Sequence, residues 1–352
     1  MQASSPNGRA PTSVLVIGGA GYVGSVLVRK LLSRGDRVVV LDALVYGDDG
    51  IRALYGDPQL EVVRADLRDG YVVSEALHGI DAVVHLGGLV GDQACELDPE
   101  LTIAVNLTGT QETAVAARDA GVSRFVFAST CSVYGSSKEL LSEASPLDPL
   151  TTYARTKAGS EAILAEMASG AFSTVALRYG TLYGLAPRLR FDLMVNLLTA
   201  KAVKEGGFTV YGGSQWRPFV HVDDAAEATV MALDAPASVV SGEVFNVGSD
   251  EQNHPIAEVG ALIERLVPEA EVIYDLDRVG DADYCVSFTK IKSFLGFAPR
   301  WSLLDGINEI RLALEQGTID DYRDNRYSNE AALTESAEVL RHPVESEVIE
   351  GG

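Results

Sequence analysis

Short apolar runs alternate with helical patterns through the first half of the chain. Val14–Ile17 is the first apolar run, and after it Val23, Leu27 and Leu31 share one face of a helix. Further apolar runs predict five more buried strands, at Arg37–Asp42, Leu60–Leu67, Asp81–Gly88, Arg124–Ser129 and Val175–Gly180. Strands that alternate with helices form parallel sheets with helices on both faces. The pattern therefore predicts an α/β fold built on a doubly wound parallel sheet.

The turn between the first strand and the first helix is rich in glycine. Without side chains at Gly18 and Gly21, an anion can approach the N–H groups at the start of the helix, and Gly24 lets the helix pack closely on the strand. Asp42 ends the second strand about twenty residues later. Its carboxylate can accept hydrogen bonds from an adenosine ribose and would repel a 2′-phosphate. Together these features predict a Rossmann-type dinucleotide site that prefers NAD to NADP.

Ligands of a doubly wound sheet bind beyond the carboxyl ends of its strands. Asp66, which is placed to meet an adenine amino group, and Leu86 both fall at this edge. Asn106 interrupts the apolar face of a predicted long helix, Pro99–Ala120, and either binds the backbone or helps to position the site. The predicted cofactor-binding residues are Gly18, Gly21, Tyr22, Val23, Gly24, Asp42, Asp66, Leu67, Leu86, Gly87, Gly88, Asn106, Tyr153, Lys157 and Tyr179.

A tyrosine and a lysine lie four residues apart, at Tyr153 and Lys157. Residues with this spacing share one face of a helix, so both side chains point to the same place. An ammonium group beside a phenol stabilises the phenolate and lowers its pKa, which favours a tyrosine general base. Thr130 ends the fifth predicted strand at the same edge of the sheet. The three residues together predict a catalytic site.

The regular alternation ends near Gly180, where short strands and helices follow one another irregularly. From Asp320 on, nine acidic residues stand against three basic ones with little periodicity, which is typical of a partly ordered tail. The predicted organisation is a disordered N-terminus (1–12), an NAD-binding Rossmann domain (13–181, completed by 220–248), a smaller α/β substrate lobe (182–219 and 249–319) and an acidic C-terminal tail (320–352).

Composition and charge exclude several classes of protein. The net charge of −22 argues against nucleic-acid binding, which needs a clustered basic face. The chain contains no run of about twenty apolar residues and no apolar signal core near its start, so we expect a cytoplasmic protein without a membrane span. The three cysteines and five histidines are scattered, without the spacing of a disulfide framework or a zinc site. No metal is predicted.

The glycine-rich turn, Asp42, Asp66, Thr130 and the Tyr153/Lys157 pair together resemble the extended short-chain dehydrogenase/reductases that act on nucleotide sugars, such as UDP-glucose 4-epimerase. The resemblance runs from about Ser13 to Gln316, and the later stretches that agree with it are Leu177–Gly184, Gln215–Asp224 and Arg278–Asp281. It implies NAD as cofactor and a nucleotide-diphosphate sugar as substrate. It also implies that Tyr153 is the general base, that Lys157 holds the nicotinamide ribose, and that Thr130 shares the hydrogen bond.

Departures from the family pattern bear on the reaction. The 4,6-dehydratases carry Asp-Glu directly after the threonine, and nucleotide-sugar decarboxylases commonly carry a Glu near there. This chain has Cys131-Ser132 at those positions, so it lacks the carboxylic acid and base that elimination of water needs. Some 3,5-epimerases use a cysteine one position later, so Cys131 is either an acid or base or a small buried thiol. Thr181 replaces a usual Asn, and Gly87-Gly88 replaces two Ala. The predicted substrate-binding residues are Cys131, Ser132, Thr181, Arg188, Arg190, Val210, Arg217 and Arg278.

Arg190 lies in a loop that loosely resembles the segment meeting a uronate carboxylate in related 4-epimerases. One hypothesis is that Arg190 binds the C6 carboxylate of a nucleotide uronate, which needs a fixed cation in so negative a protein. The alternative is that Arg188 and Arg190 clamp the substrate diphosphate together with Arg217 and Arg278, which match family diphosphate positions better.

The resemblance favours a 4-epimerase in which Tyr153 removes the 4-OH proton and the sugar passes through a 4-keto form. A 4-ketoreductase with the same residues is the main alternative. A 3,5-epimerase, a dehydratase and a decarboxylase are less favoured, as is a non-catalytic NAD-sensing protein, because sensing requires no phenol and ammonium one helical turn apart.

We also expect a homodimer. The helices Pro99–Ala120 and Thr152–Ala168 would pair across a two-fold axis as a four-helix bundle, partly by family resemblance. The small residues that would let them approach are Ala116, Ala117, Ala162 and Ala165.

Overall fold

The computed structural model describes residues 12–277, 282–340 and 346–349. Residues 1–11 of the predicted N-terminal segment and the predicted substrate residue Arg278 lie outside the described residues. The strands are β1 (Ser13–Ile17), β2 (Arg37–Asp42), β3 (Leu60–Arg64), β4 (Ala82–His85), β5 (Arg124–Thr130), β6 (Leu140–Leu141), β7 (Ser173–Tyr179), β8 (Thr181–Tyr183), β9 (Gly207–Tyr211), β10 (Trp216–His221), β11 (Glu243–Val247), β12 (Asn253–Pro255), β13 (Glu271–Asp275), β14 (Cys285–Val286) and β15 (Glu347–Ile349).

The helices carry most of the remaining regular structure. They are α1 (Tyr22–Ser33), α2 (Gly70–Ala76), α3 (Asp92–Glu96), α4 (Pro99–Ile103), α5 (Thr110–Asp119), α6 (Thr152–Met167), α7 (Met194–Glu205), α8 (Val222–Asp234), α9 (Ala237–Val240), α10 (Ile256–Leu266), α11 (Thr289–Leu295), α12 (Leu303–Glu315) and α13 (Asn329–Leu340). A π-helical stretch, Ala104–Gly109, joins α4 to α5, so the predicted long helix is one rod with a π-helical centre. None of the described helices is long and apolar enough to cross a membrane.

The main sheet has eight strands in the order β11-β7-β5-β4-β1-β2-β3-β15. The first seven are parallel, and β15 runs antiparallel along β3. Both faces of β1 are buried: Val14 and Val16 pack in one core, with α1 and α8, whereas Leu15 packs in the other, with α2 and α5. A strand buried on both faces is a continuous apolar run, as the sequence shows. The predicted doubly wound α/β fold is confirmed.

A smaller lobe packs beside the carboxyl ends of the main strands. It contains the sheet β12-β10-β8, the strand pair β13-β9, and the helices α7, α10 and α12 around a separate core. The sequence analysis identifies neither α7 nor α12 as a helix. The start of α12 does carry a local signal, because Ser302 and Asp305 form a reciprocal capping box.

The described C-terminal residues are more structured than the sequence predicts. In place of a partly ordered tail, α13 packs on the main domain and β15 extends the sheet. Leu333 on α13 is only 4% exposed and lies in a cluster with Leu89, Cys95 and Leu101. Contacts with residues far away in sequence hold this segment, which explains why its local pattern gives no sign of order.

Candidate active site

The glycine-rich turn joins β1 to α1 along a path that excludes side chains at two points. Gly18 has a φ of +78°, and a Cβ there would lie 2.7 Å from the Gly87 nitrogen. A Cβ on Gly24 would lie 2.2 Å from the Gly18 carbonyl oxygen. No side chain caps α1, and no acidic residue lies in its first turn. The N–H groups of that turn are therefore available to an anion.

Asp42 ends β2 with its carboxylate held by the backbone. Oδ2 accepts a hydrogen bond from the Ala20 N–H at 2.9 Å, and Oδ1 accepts one from the Leu44 N–H at 2.9 Å. Burial raises the pKa of Asp42, although these two bonds and the charge of Arg188 oppose the rise. The carboxylate thus lies against the glycine-rich turn, where the ribose of a dinucleotide would meet it.

Asp66 and Asn106 have protein partners that define their roles. Asp66 receives hydrogen bonds from Arg68, the shortest being 2.5 Å between Nη2 and Oδ2. Asn106 Oδ1 accepts from the Leu89 N–H at 2.7 Å, and its Nδ2 donates to the Leu89 carbonyl at 2.8 Å. Of the two roles weighed for Asn106, the structure thus favours backbone binding, because this residue holds the loop after β4.

One cleft at the carboxyl ends of the central strands joins these features. It holds about 1160 Å³ of space that opens to solvent. All the predicted cofactor residues except Asn106 line it, namely Gly18, Gly21, Tyr22, Val23, Gly24, Asp42, Asp66, Leu67, Leu86, Gly87, Gly88, Tyr153, Lys157 and Tyr179. The glycine cradle, the uncapped helix start and the carboxylate fit a dinucleotide.

Tyr153 and Lys157 lie in the first two turns of α6, and both face this cleft. The Lys157 Nζ lies 6.0 Å from the centroid of the Tyr153 ring and donates to the Ala128 carbonyl at 2.8 Å. Thr130 ends β5 nearby, and its Oγ1 donates to the Ser132 Oγ at 3.1 Å. The structure thus brings a phenol, an ammonium and a hydroxyl together at the predicted edge of the sheet.

The protein's own groups raise the pKa of Tyr153. Burial is the main cause and the charges of Cys95 and Asp92 add to it, whereas Arg190 and a hydrogen bond with Thr130 oppose it. The sequence predicts that Lys157 lowers the pKa of Tyr153, but Lys157 is not among the principal influences on that pKa. Helical spacing sets the common face of the two residues but not the direction of the ammonium, which is turned to a backbone carbonyl.

Lys157 is 3% exposed, and burial lowers its pKa from 10.5 to about 8. A buried ammonium favours a negative charge beside it, because the two charges compensate each other's lost hydration. A phenolate at Tyr153, 6.0 Å away by its ring centroid, would therefore favour the protonated form of Lys157. This coupling suits a phenol that must accept and return a proton.

Two acidic side chains of α3 hold the start of α6. Asp92 Oδ1 accepts from the Thr151 hydroxyl at 2.7 Å, and Thr151 in turn accepts from the Ala154 N–H at 3.2 Å. Glu96 accepts from the Thr152 N–H at 2.9 Å. These contacts fix the turn that carries Tyr153.

Cys131 is 1% exposed and does not line the cleft. Its Sγ donates to the Arg178 carbonyl at 3.3 Å, and burial raises the pKa of the thiol. The structure therefore favours the small buried thiol over an acid or base. The neighbouring Ser132 is hydrogen-bonded with Tyr284, whose pKa is raised by burial to about 12.

The other predicted substrate residues are spread over the smaller lobe. Arg217 donates to the Trp216 carbonyl at 2.8 Å and also to the Ala282 carbonyl, and its guanidinium lies 5.5 Å from the centroid of the Tyr284 ring. Thr181 is partly buried at the start of β8. Val210 is 1% exposed in the core of the lobe, so its side chain faces other protein atoms.

Arg188 and Arg190, which the sequence predicts to bind the substrate, line the dinucleotide cleft instead. Arg190 pairs with Asp192 through two 2.9 Å bonds, which satisfies its charge inside the protein and disfavours the uronate hypothesis. Arg188 contacts Tyr46 and Asn329, which also line the cleft and were missed by the sequence analysis. Neither missed residue belongs to a local motif, because the contact with Asn329 joins positions 141 residues apart.

Comparisons with known proteins agree with this geometry. The profile of the NAD dependent epimerase/dehydratase family matches residues 14–248. UDP-glucose 4-epimerase of Lactobacillus helveticus is 33% identical over 321 residues, covering 84% of this chain and 94% of its own. dTDP-glucose 4,6-dehydratase of Actinoplanes sp. is 31% identical over 328 residues, and the match covers 89% of this chain and 98% of that protein.

A solved structure is similar over most of the fold. UDP-glucuronic acid 4-epimerase from Bacillus cereus, in complex with UDP-glucuronic acid and NAD, matches with a TM-score of 0.78 and 27% identity. The match covers 86% of this chain and 99% of that protein. This chain thus contains residues with no counterpart in that protein, and its relatives include both epimerases and dehydratases.

Proposed function

Because this chain belongs to the NAD dependent epimerase/dehydratase family, an NAD-using family of enzymes, we propose that it is a nucleotide-sugar 4-epimerase. It would invert the configuration at C4 of the sugar by way of a 4-keto form. The cofactor residues that line the cleft would hold NAD against Tyr153. When bound, NAD supplies the hydride acceptor and donor for C4 of the sugar.

Tyr153 is the proposed proton carrier. As a phenolate it takes the proton of the sugar 4-OH as the carbonyl forms, and as a phenol it gives the proton back as the carbonyl is reduced. Lys157 stabilises the phenolate before the proton is taken and after it has been returned, because its buried ammonium lies on the same side of α6. The Thr130 hydroxyl holds the sugar oxygen in line with Tyr153. The three residues act at a single carbon and need no second acid.

The observation that carries the choice of reaction is the closed environment of Cys131. Elimination of water from a sugar needs a second acid and base beyond Tyr153, and the dehydratase pattern places Asp-Glu directly after the threonine. In this chain the first of those positions is a buried thiol with a raised pKa and the second is Ser132. Neither residue supplies a carboxyl group, whereas epimerisation at C4 needs none there.

A panel of UDP-, dTDP-, CDP- and GDP-sugars, with NMR of the products, tests the proposal. We expect protein purified with bound NAD to convert one sugar into its C4 epimer without net change in the cofactor. Stoichiometric consumption of added NADH or NADPH with a 4-keto sugar, and no epimerisation of the parent sugar, would identify a 4-ketoreductase instead. Absence of any reduced cofactor or product across the panel would favour an NAD-sensing protein.

A further inference from the structure

Arg188 is a buried cation that no carboxylate contacts within residues 12–277, 282–340 and 346–349. Its Nη2 donates to the Asn329 Oδ1 at 2.7 Å, and its guanidinium lies 4.5 Å from the centroid of the Tyr46 ring. The Nε atom is buried and has no hydrogen-bond partner among the described residues. Burial and the charge of Arg190 lower the pKa of Arg188 to about 10. The charges of Asp192 and Asp42 offset this lowering only in part, so an anion in contact with the guanidinium would stabilise it further.

The space that Arg188 faces is the cleft of the glycine-rich turn. The Arg188 N–H lies 3.4 Å from the Ser25 Oγ in α1, and both Arg188 and Gly21 line the cleft. Arg188 and the uncapped start of α1 therefore border the same cleft. NAD carries a diphosphate, which is the anion that such a helix start attracts. Arg188 supplies a second, charged contact that the glycine turn itself lacks.

We propose that Arg188 binds the diphosphate of NAD and that Asn329 holds it in place, so that α13 forms part of the cofactor site. Asn329 is 4% exposed, and its side-chain oxygen, side-chain nitrogen and backbone N–H all form hydrogen bonds. Besides its bond to Arg188, its N–H donates to the Asp192 Oδ2 at 2.9 Å and its Nδ2 donates to the Val90 carbonyl at 3.2 Å. Asp192 neutralises Arg190, so of the two arginines Arg188 is the one whose charge is available to a ligand.

The helix α13 borders the cleft through Asn329 at its start and packs on the neighbouring core. Leu333 lies one turn beyond Asn329 and joins Leu89, Cys95 and Leu101 in the cluster against which Tyr153 packs. NAD held by Arg188 would leave only after that contact breaks, and Asn329 would slow this step because it holds the guanidinium in place. Slow release suits an enzyme whose cofactor is oxidised and reduced within one turnover. The inference rests on NAD as cofactor and not on the sugar or the reaction, so its test uses no sugar.

The test compares NAD, ADP-ribose and adenosine by calorimetry and competition on the full chain, with Arg188→Gln as the variant. We expect NAD and ADP-ribose to bind about ten- to a hundredfold more weakly, as for loss of a charge-assisted bond, and adenosine to bind as before. Unchanged binding of NAD would overturn the proposal. An equal loss for adenosine would do so as well, since Arg188 would then only shape the cleft.

The contribution of α13 is tested by the rate at which bound NAD dissociates. Asn329→Ala should speed dissociation about tenfold, whereas Glu330→Gln, at the exposed next residue of the same helix, should not change it. The double variant Arg188→Gln/Asn329→Ala should release NAD no faster than Arg188→Gln alone, because the two residues act through one contact. Additive effects, or wild-type dissociation from Asn329→Ala, would remove α13 from the cofactor site.

Discussion

Glu161 on α6 and Arg178 on β7 form a buried ion pair, with 2.5 Å between Oε2 and Nη2 and 2.9 Å between Oε1 and Nε. Ser129 also donates to Glu161, and the Arg178 Nη1 donates to the Tyr134 hydroxyl at 2.8 Å. Glu161 lies one helical turn after Lys157. The pair therefore fastens α6, which carries the proposed proton carrier Tyr153, to the sheet.

Removal of one partner of this pair should be strongly destabilising. Glu161→Ala leaves the Arg178 charge buried and unpaired, and we expect the free energy of unfolding to fall by about 3–5 kcal/mol. Denaturant unfolding measures the change, with Glu166→Ala on the exposed face of the same helix as the control. Equal stabilities for the two variants would show that the ion pair does not hold α6.

The charge of Asp92 should shift the acid limb of the pH–rate profile. Asp92→Asn keeps an acceptor for Thr151 but removes a negative charge that raises the pKa of Tyr153. The phenolate then forms more readily, so the midpoint of the acid limb of kcat should move down by a few tenths of a pH unit. Glu96→Gln, which alters an acid on the same helix that bonds to the backbone, is the control. An upward shift would contradict the expected sign.

Asp42 should decide the preference between the two dinucleotides. Asp42→Ala removes an acceptor for the ribose hydroxyls and a charge that repels a 2′-phosphate, so NAD affinity should fall by about 1.5–3 kcal/mol while the preference over NADP narrows. Calorimetry with both dinucleotides measures the ratio of the NAD and NADP affinities. The control is Asp119→Ala, which removes an exposed acid at the end of α5. An unchanged ratio would place Asp42 outside the ribose site.

Lys157 should make stability depend on pH. Because its pKa falls from 10.5 unfolded to about 8 folded, the unfolded chain binds the extra proton between those values, and stability rises with pH across that window. Lys157→Met removes this dependence. The stability of the wild type relative to the variant should increase by roughly 3 kcal/mol from pH 8 to 10.5 in denaturant unfolding. Lys138→Met, at a side chain 88% exposed, should show no such trend.

The expected homodimer depends on α4, α5 and α6. Ala162 and Ala165 are exposed on α6, whereas Ala117 is fully buried in the protomer's own core and is unable to contact a second copy. We expect the dimer mass by light scattering, and the monomer mass for Ala165→Arg, whose long charged side chain prevents close approach of the helices. Ala53→Arg, at an exposed site on a 3₁₀ turn, should remain dimeric. A wild-type monomer at micromolar concentration would refute the prediction.

Local patterns were enough to predict the parallel sheet and the turn that begins it. The apolar runs of β1, β2 and β5 follow from residues within a few positions of one another. Strands buried on both faces leave a signal that needs no knowledge of the rest of the fold. The same holds for Asp42, whose place at the end of β2 is a local property.

The part of the cleft around Arg188 was not predictable in this way. Arg188 was assigned to the substrate, whereas it lines the dinucleotide cleft, where Asn329 and Tyr46 reach it from other parts of the chain. The direction of the Lys157 ammonium was missed for a related reason. Spacing along a helix fixes the face of a side chain, whereas the Ala128 carbonyl that orients it belongs to the sheet.

The pairing of β15 with β3 has a consequence for synthesis of the chain. Arg64 and Glu347, which face each other across this pair, are 283 positions apart, so the ribosome makes β3 long before its neighbour. In the interval β3 is an open edge, and such edges recruit strands from other chains. We expect nascent copies on one messenger to be most prone to aggregation in this period, and strand-breaking changes in β15 to lower soluble yield more than they lower thermal stability.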